Sequence, residues 1–326
     1  MTYAITFTDR ERAELLTEPD DARPLDPTEI AGRTLASLIS PGTELAGYLG
    51  QWQGAKYPAV PGYAPVFEVT AVGSEVQGFK PGDLAFCLGG HRSSQRVRQD
   101  QAVRLPDGLS PEIAPFARLM CVTMSTLTTT TARPPAKVIV TGLGIIGHLA
   151  AKNFAACGYD VMGVDPSAAR REFARQGGIQ NVRPIIPLDD PGVAGQVALV
   201  VETSGHEQAA LDACKVVRKR GEVVLVAAMW QRRTELYAYD LLHAIFNRYV
   251  VVRSGWEWEV PMVPTDFRAN SIYGNIAGAM RWLAEGRVKV DGLAQAVSPH
   301  DAQRAYQQLL RQPDRGLTLL FDWGKL

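Results

Sequence analysis

The chain has 326 residues, a length that suggests two domains rather than one hydrophobic core. Its 34 basic residues balance its 34 acidic residues, so net charge gives no basis for binding nucleic acid or an anionic membrane surface. No apolar run reaches the roughly 20 residues of a membrane-spanning helix, and the charged N-terminal stretch does not resemble a secretion signal, so we expect a cytoplasmic protein without a membrane partner.

The first hundred residues favour β structure. Short apolar strands are separated by Gly and Pro, and a strong turn signal lies at 80–83. This pattern predicts a small barrel-like β domain. The proline-containing stretch 103–115 interrupts the pattern, and Ser110 followed by Pro111 predicts the start of a helix there.

From Lys137 onward, predicted strands and helices alternate. Such alternation indicates an α/β fold, a doubly wound parallel sheet with helices on both faces. The predicted strands are 137–141, 159–165, 197–202, 222–228 and 247–256, and the predicted helices between them are 145–156, 167–176 and 207–219. The basic run 217–221 is interpreted as a solvated helix end. Further helices at 271–286 and 300–312 and strands at 292–297 and 316–322 are predicted near the C-terminus.

A glycine motif marks the first of these strand–helix junctions. Gly142, Gly144 and Gly147 form G-x-G-x-x-G directly after an apolar strand and at the start of a helix. The first glycine permits a tight turn, the second lets the backbone approach a pyrophosphate, and the third lets helix and strand pack closely. The phosphates would lie against the helix N-terminus, at Ile145 and Ile146, where free N–H groups and the helix dipole attract an anion. The motif therefore predicts a bound dinucleotide.

The ends of later strands predict which dinucleotide is bound. Asp165 follows the glycines at close to the roughly 20-residue separation at which a carboxylate accepts the ribose hydroxyls. A carboxylate there would repel a 2′-phosphate, so NAD(H) is favoured over NADP(H). Arg170, one helical turn further on, could lie over the adenine or meet a 2′-phosphate. Thr203 and Ser204 follow another strand and could line the cofactor cleft, since ligands bind at the carboxyl ends of such strands.

Three stretches of the chain resemble the medium-chain dehydrogenase/reductase superfamily, that of the zinc-type alcohol dehydrogenases. They are 38–50 (LISPGTELAGYLG), 57–86 and the glycine motif, in that order. The resemblance implies a GroES-like β-barrel catalytic domain over 1–116, a Rossmann domain over 117–270 and a return to the catalytic domain over 271–326. The segments SPGTE, YPAVPGY and FDW near the C-terminus most resemble sequences of the branch that contains bacteriochlorophyllide a dehydrogenase.

The same resemblance predicts a protein without zinc. Zinc-dependent members have a ligand Cys in a Cys-Gly-Thr-Asp motif and a ligand His in Gly-His-Glu, and this chain has Pro41 and Tyr63 at those two places. Cys121, near the expected third ligand, cannot hold the metal alone, because zinc takes three or four N, S or carboxylate ligands. The four-cysteine lobe that binds structural zinc is also missing from the sequence. We therefore expect no metal at either place.

Two hydroxyl side chains are the candidates for catalysis. The resemblance matches Thr43 to a hydroxyl that contacts the substrate oxygen and begins a proton relay, and it places Tyr63 facing the nicotinamide. A phenol could donate a hydrogen bond to a carbonyl or pass a proton to an alkoxide, but to act as a base its ordinary pKa of about 10 would have to fall. The alternatives are a turn hydroxyl for Thr43 and an aromatic wall for Tyr63.

The remaining site predictions concern the edges of the site. Thr123 resembles a residue beside the nicotinamide ring, and Glu44 resembles a carboxylate that orients its neighbours at the substrate pocket. His91 follows two glycines on a predicted loop, where it either borders the pocket or is simply exposed. Trp52 and Trp256 complete the predicted pocket. Trp256 lies in a proline-containing loop whose aromatics could stack on a sugar or a flat ring, or contact a second subunit.

The function that follows is zinc-independent hydride transfer between NAD(H) and a secondary alcohol or ketone of polyol, sugar or hydroxyethyl type. Besides this small-molecule substrate, the expected partner is a second copy of the chain, paired as a homodimer through the sheet edge at 249–253. Two other functions stay open: a quinone or enoyl reductase that uses NAD(P)H, and an NAD(H)-binding protein without turnover. Asp165 argues against the first, and the missing zinc ligands make the second conceivable.

Overall fold

The chain divides into two compact units. The computed structural model describes residues 1–52, 54–268, 270–313 and 315–326. The first unit consists of Met1–Arg118 and Ile276–Leu326, and the second of Leu119–Asn275. The C-terminal segment thus belongs to the same unit as the first part of the chain.

The helices and strands are short elements joined by turns. They begin with β1 (Thr2–Asp9), β2 (Arg12–Glu18), β3 (Glu29–Leu38), α1 (Pro41–Tyr48), β4 (Pro65–Val72), β5 (Leu84–Cys87), β6 (Ser94–Arg98) and β7 (Ala102–Arg104). There follow α2 (Phe116–Thr129), β8 (Lys137–Thr141), α3 (Ile145–Ala156), β9 (Asp160–Val164), α4 (Ala168–Gln176), β10 (Val182–Arg183), β11 (Val197–Glu202), α5 (Glu207–Val216), β12 (Val217–Leu225), α6 (Ala238–Arg248), β13 (Val251–Ser254), α7 (Ile272–Ala284), β14 (Ala294–Val297), α8 (Ala302–Arg311) and β15 (Thr318–Asp322). None of the helices in the described ranges combines the length and apolar character that a membrane crossing needs.

The first unit is built on a mainly antiparallel sheet. Its strand order is β14-β15-β3-β4-β5-β7, with β6 also paired to β3, while β1 and β2 form a separate hairpin. The C-terminal strand β15 pairs directly with β3, opposite Leu38. A cluster of buried aromatic rings lies in this unit, where the Phe7 and Tyr306 ring centres are 4.9 Å apart. This packing anchors α8, the helix that carries Tyr306, within the first unit.

The second unit is built on a parallel sheet with the strand order β10-β9-β8-β11-β12-β13. Residues of β8 and β11 alternate between two buried clusters: Ile139 and Val200 belong to one, and Val138 and Val201 to the other. Helices therefore cover both faces of the sheet. The order of strands along the chain reverses at β8, and ligands of such sheets bind at this reversal, outside the carboxyl ends of the strands. A β-rich unit combined with a Rossmann-like parallel sheet confirms the predicted fold class.

Two predicted boundaries are wrong for physical reasons. The helix expected from Ser110 becomes regular only at Phe116, because Pro115 has no N–H to donate and the residues before it form tighter turns. The run 217–221 is strand rather than helix end. There α5 ends at Val216, and β12 pairs with β11 at Val217 and again from Glu222, with an irregular register between the two. Tertiary pairing thus overrides the helix propensity of Lys and Arg.

Candidate active site

The glycine motif connects the end of β8 to the start of α3. Gly142 has a φ of +79°, a left-handed conformation that side chains rarely adopt. A Cβ on Gly147 would lie 1.7 Å from the Gly142 carbonyl oxygen, so only glycine lets the helix pack this closely on the turn. A Cβ on Gly144 would meet no atom within 4 Å. Open space therefore adjoins the helix N-terminus, where the N–H groups of Ile145 and Ile146 lack partners within the helix and can bind phosphate.

Asp165, which directly follows β9, is bonded to the glycine turn. Its Oδ2 accepts a hydrogen bond from the Leu143 N–H at 2.7 Å, and its Oδ1 accepts one from the Ser167 N–H at 2.8 Å. Asp165 is only 2% exposed. The side chain of Arg170 is close by, with Nη1 3.7 Å from Asp165 Oδ2. The carboxylate therefore fixes the shape of the turn as well as carrying the charge that was predicted to select the cofactor.

The structure brings Thr203 and Ser204 to the glycine turn, together with an acid that the sequence analysis missed. The Thr203 hydroxyl donates to the carbonyl oxygens of Thr141 and Gly142, both at 2.8 Å. Glu202, fully buried at the end of β11, accepts hydrogen bonds from the Ser204 N–H at 2.8 Å and from the Ser204 hydroxyl. Burial raises the pKa of the Glu202 carboxyl. An acid that ends an otherwise apolar strand was the available signal for it.

Thr123 requires a correction. It lies on α2 with no exposed surface, so it offers nothing for a nicotinamide ring to contact. Its hydroxyl donates to the Met120 carbonyl at 3.2 Å and accepts a hydrogen bond from the Asn153 amide at 3.0 Å. These bonds join α2 to α3 and give Thr123 a structural role.

A cluster of hydroxyl groups, formed by Tyr63, Ser40 and Thr43, lies at the start of α1 in the first unit. The Tyr63 hydroxyl donates to Ser40 Oγ and lies 3.4 Å from Thr43 Oγ1. Ser40 is the N-cap of α1, but its hydroxyl makes no cap hydrogen bond and is available to Tyr63. Burial raises the pKa of Tyr63, which argues against a base and favours a hydrogen-bond donor.

Arg118 is a second residue that the sequence analysis missed. It is among the largest fully buried side chains of the described chain, and its guanidinium carbon lies 4.5 Å from the centre of the Tyr63 ring. The signal for it was a single charged residue inside the apolar run FARLMCV. Charged side chains are almost never fully buried unless they are paired.

The expectation that His91 is exposed or borders the pocket is wrong. His91 is fully buried, with Nε2 3.0 Å from Glu44 Oε2 and Nδ1 2.8 Å from Ser37 Oγ. The Trp323 indole donates to the same Ser37 oxygen at 2.9 Å. The ring can therefore donate from Nε2 and accept at Nδ1. Tyr306 also donates to Glu44 Oε2, at 2.6 Å.

Glu44 is likewise buried rather than placed at a pocket surface. Its second oxygen, Oε1, accepts a hydrogen bond from the Ser40 N–H at 2.7 Å. A Glu that reaches back to the N-cap N–H fixes the first turn of a helix. Glu44 thus holds Ser40 and Thr43 in position, which corrects its assignment as a substrate-pocket residue.

The two predicted pocket tryptophans are both accessible. Trp52 is 41% exposed and lies near Gly47 of α1, in the first unit. Trp256 is 67% exposed and precedes a short 3-10 turn at Glu257–Glu259, in the second unit. Their contact with a substrate stays a prediction.

The residues at the positions of the zinc ligands in the resembled enzymes do not fit a zinc ion. Pro41 has no side-chain donor atom, and Tyr63 keeps its proton because burial raises its pKa. Glu44 already receives hydrogen bonds on both oxygens. Within the described ranges, no group of three or more His, Cys, Asp or Glu side chains could hold a metal ion. Zinc needs three or four such ligands together, and the described residues do not supply them.

The fold places the chain in the class of proteins that combine a Rossmann-like parallel sheet with a separate β-rich unit. The family model of zinc-binding dehydrogenases matches residues 144–259, all within the second unit. An alcohol dehydrogenase of Geobacillus stearothermophilus is 26% identical over 293 residues, which cover 76% of this chain and 79% of that protein. The aldehyde reductase YahK of Escherichia coli (strain K12) is 29% identical over 174 residues, 40% of this chain and 50% of that protein.

Two solved structures share the fold over nearly the whole chain. Galactitol-1-phosphate dehydrogenase from Escherichia coli has a TM-score of 0.84 at 18% identity and covers 98% of this chain and 99% of its own. Acetophenone reductase from Geotrichum candidum NBRC 4597, in complex with NAD, has a TM-score of 0.79 at 17% identity. The match covers 100% of this chain and 98% of that protein. The family model thus matches the second unit, the relatives show a likeness to alcohol dehydrogenases, and the solved structures show a shared fold.

Proposed function

We propose that the protein is a zinc-independent oxidoreductase that transfers a hydride between NAD(H) and a secondary alcohol or ketone of polyol, sugar or hydroxyethyl type. The observation that carries the proposal is the hydroxyl cluster of Tyr63, Ser40 and Thr43. By resemblance, Tyr63 stands where zinc enzymes have a ligand histidine, and Thr43 where they have a hydroxyl that contacts the substrate oxygen. Hydroxyl groups can bind the oxygen of an alcohol or ketone by hydrogen bonds, which is the part of the chemistry that the protein must supply.

The residues of the second unit fit a dinucleotide. The space at Gly144 and the N-terminus of α3 would receive the pyrophosphate, and Asp165 would lie at the adenosine ribose. When bound, the nicotinamide supplies the carbon that gives or takes the hydride. The Asp165 carboxylate supports NAD(H) over NADP(H), since a 2′-phosphate would be repelled. Arg170, 3.7 Å from that carboxylate, is partly neutralised by it and so less available to a phosphate.

On the substrate side, Thr43 and Ser40 are the groups proposed to hold the oxygen. In the oxidation direction the substrate O–H would donate to this cluster and its proton would pass through it to water, while the C–H hydrogen would leave with its electron pair as a hydride that NAD⁺ would accept. Tyr63, whose pKa is raised by burial, acts as a donor to the cluster rather than as a base. Glu44 holds Ser40 of the cluster in place by accepting a hydrogen bond from the Ser40 N–H.

The proposal includes a homodimer and a cytoplasmic location. Strand β13 ends the parallel sheet, so its outer edge can pair with the same strand of a second copy across a twofold axis. Because basic and acidic residues balance, net charge gives no reason to propose a nucleic-acid partner.

The experiment is an NAD(H)-coupled screen of polyols, sugars and ketones, with metal analysis of the same sample. Turnover of a secondary alcohol or ketone with NAD(H), by protein that carries well under one zinc per chain, is the expected result. About one tightly held zinc per chain would contradict the zinc-free mechanism. NADH binding without any turnover would favour a non-catalytic protein, and reduction of an enone or quinone would favour the reductase alternative.

A further inference from the structure

Arg118 is a buried charged side chain in the first unit, beside the hydroxyl cluster. Only 2% of the residue is exposed, and its guanidinium lies over the face of the Tyr63 ring. A guanidinium stays protonated at every pH that matters here. A buried charge is weakly screened by water, so it acts strongly on the ring beside it.

The guanidinium acts on the cluster through the Tyr63 ring. A cation over an aromatic face is attracted by the ring's negative face, and it stabilises negative charge on the phenolic oxygen. Tyr63 consequently becomes a stronger hydrogen-bond donor to Ser40 Oγ and toward Thr43 Oγ1. Burial raises the pKa of Tyr63, and so does Glu44, whereas the charge of Arg118 lowers it. The phenol keeps its proton but holds it in a more polarised O–H bond.

We propose that Arg118 is a positioning residue that supplies, through Tyr63, the positive charge with which this site stabilises the oxyanion of the reaction. This inference rests on the proposed function. In the reduction direction, hydride addition to the carbonyl carbon moves the C=O π electron pair onto the oxygen. That oxygen takes a proton from the hydroxyl cluster, and the cluster regains a proton from water. The guanidinium thus supplies positive charge to a site whose side chains do not fit a metal ion.

The first test compares Arg118→Met with Arg118→Lys, using a compound that the screen identifies. Removal of a preorganised oxyanion-stabilising group lowers kcat by about 10²-fold, and this is expected for Arg118→Met, with a smaller loss for Arg118→Lys. NADH affinity, measured by nucleotide fluorescence, should change by less than about twofold, since Arg118 lies in the first unit. In a Tyr63→Phe background the effect of Arg118→Met should shrink to less than about threefold, because the path through the phenol is gone.

The second test is chemical rescue, which a purely structural arginine would not show. Arg118→Ala leaves room for a guanidinium ion, so millimolar guanidinium chloride should restore activity, while urea, with the same shape and no charge, should not. Equal rescue by urea, or full activity of Arg118→Met, would overturn the inference.

A third readout does not need turnover. Isobutyramide carries a carbonyl oxygen but accepts no hydride, and its binding to the NADH complex should weaken at least about tenfold in Arg118→Met. If no panel compound is turned over but isobutyramide binding still depends on Arg118, the proposed function fails, and what remains of the inference is the action of Arg118 on a bound carbonyl oxygen. If isobutyramide binds the variant and the wild type alike, the inference fails and the proposed function stands.

Discussion

The Asp165 carboxylate and the Leu143 backbone N–H are joined by a 2.7 Å hydrogen bond. The acid that was predicted to contact the ribose therefore also fixes the glycine turn that was predicted to receive the phosphates. Both oxygens are used, since Oδ1 accepts the Ser167 N–H at 2.8 Å. One side chain thus links the two ends of the proposed nucleotide site.

Asp165→Asn is expected to weaken NADH binding by about tenfold or more, because hydrogen bonds to a charged group contribute about 1.5–3 kcal/mol. The amide can accept one of the two backbone N–H groups, but its NH₂ opposes the other. Fluorescence titration with NADH and NADPH measures the effect, and Asp189→Asn, at an exposed position, is the matched control. Unchanged NADH affinity would contradict the role of Asp165. Wild-type kcat/KM about tenfold higher with NADPH than with NADH would contradict the cofactor preference.

Glu202→Gln is expected to change how stability depends on pH. Because burial raises the pKa of Glu202, the folded state holds a proton more tightly than the unfolded state does. Its contribution to stability is present below the unfolded pKa of about 4.3 and is lost as the pH rises through the folded value. A neutral Gln removes this loss, so the unfolding free energy of the variant should rise relative to that of the wild type as the pH increases from about 4 to about 8. Urea unfolding at several pH values measures it, and Glu75→Gln on the surface should show no such trend.

His148→Leu tests the opposite case, a buried histidine held neutral. Desolvation lowers the pKa of His148 from 6.5 to about 3, and neither ring nitrogen has a hydrogen-bond partner among the described residues. The unfolded chain binds a proton that the folded chain does not, so stability falls as the pH drops from about 6.5 toward about 3. At pH 5 this amounts to about 2 kcal/mol. Between pH 7.5 and pH 5, His148→Leu should therefore lose about 2 kcal/mol less unfolding free energy than the wild type, as measured by urea unfolding at both pH values. His300→Gln, at an exposed position, should lose as much as the wild type.

Thr43→Val tests the hydroxyl cluster without altering Tyr63. Val has nearly the shape of Thr but no hydroxyl, so loss of a hydrogen bond to the substrate oxygen should lower kcat about tenfold or more. NADH affinity should stay within about twofold, because Thr43 belongs to the first unit. Thr70→Val on an exposed part of β4 is the control. A kcat within about threefold of wild type would remove Thr43 from the mechanism.

The parallel sheet and the glycine turn could be predicted because their signals are local. Glycines at a fixed spacing after an apolar strand define one geometry, and alternating strands and helices define one kind of sheet. Helix α6 gave no such signal, because it has apolar residues on both faces: Leu241, Ala244 and Ile245 pack against a buried cluster, whereas Tyr239, Leu242 and Phe246 are exposed. An element whose apolar side chains point to solvent breaks the rule on which sequence patterning depends.

The buried polar groups could not be predicted because their partners are distant in sequence. Gly89-Gly90-His91 has the composition of a surface loop, yet the ring is held by Ser37 and Glu44 from other parts of the first unit. Arg118 could be noticed as a charge in an apolar run, but nothing local places it over Tyr63. Side-chain pairing of this kind is decided by tertiary packing, which one sequence does not reveal.

Val251→Lys tests the proposed dimer. Strand β13 forms one edge of the parallel sheet, and Val251 is 49% exposed there. A lysine on an edge strand opposes pairing with a second copy, because two like charges would be brought together across the twofold axis. Light scattering during size-exclusion chromatography should show a dimer for the wild type and a monomer for Val251→Lys, with Leu242→Lys on the exposed face of α6 remaining dimeric. A wild-type monomer, or a Val251→Lys dimer of unchanged stability, would show that this edge is not the interface.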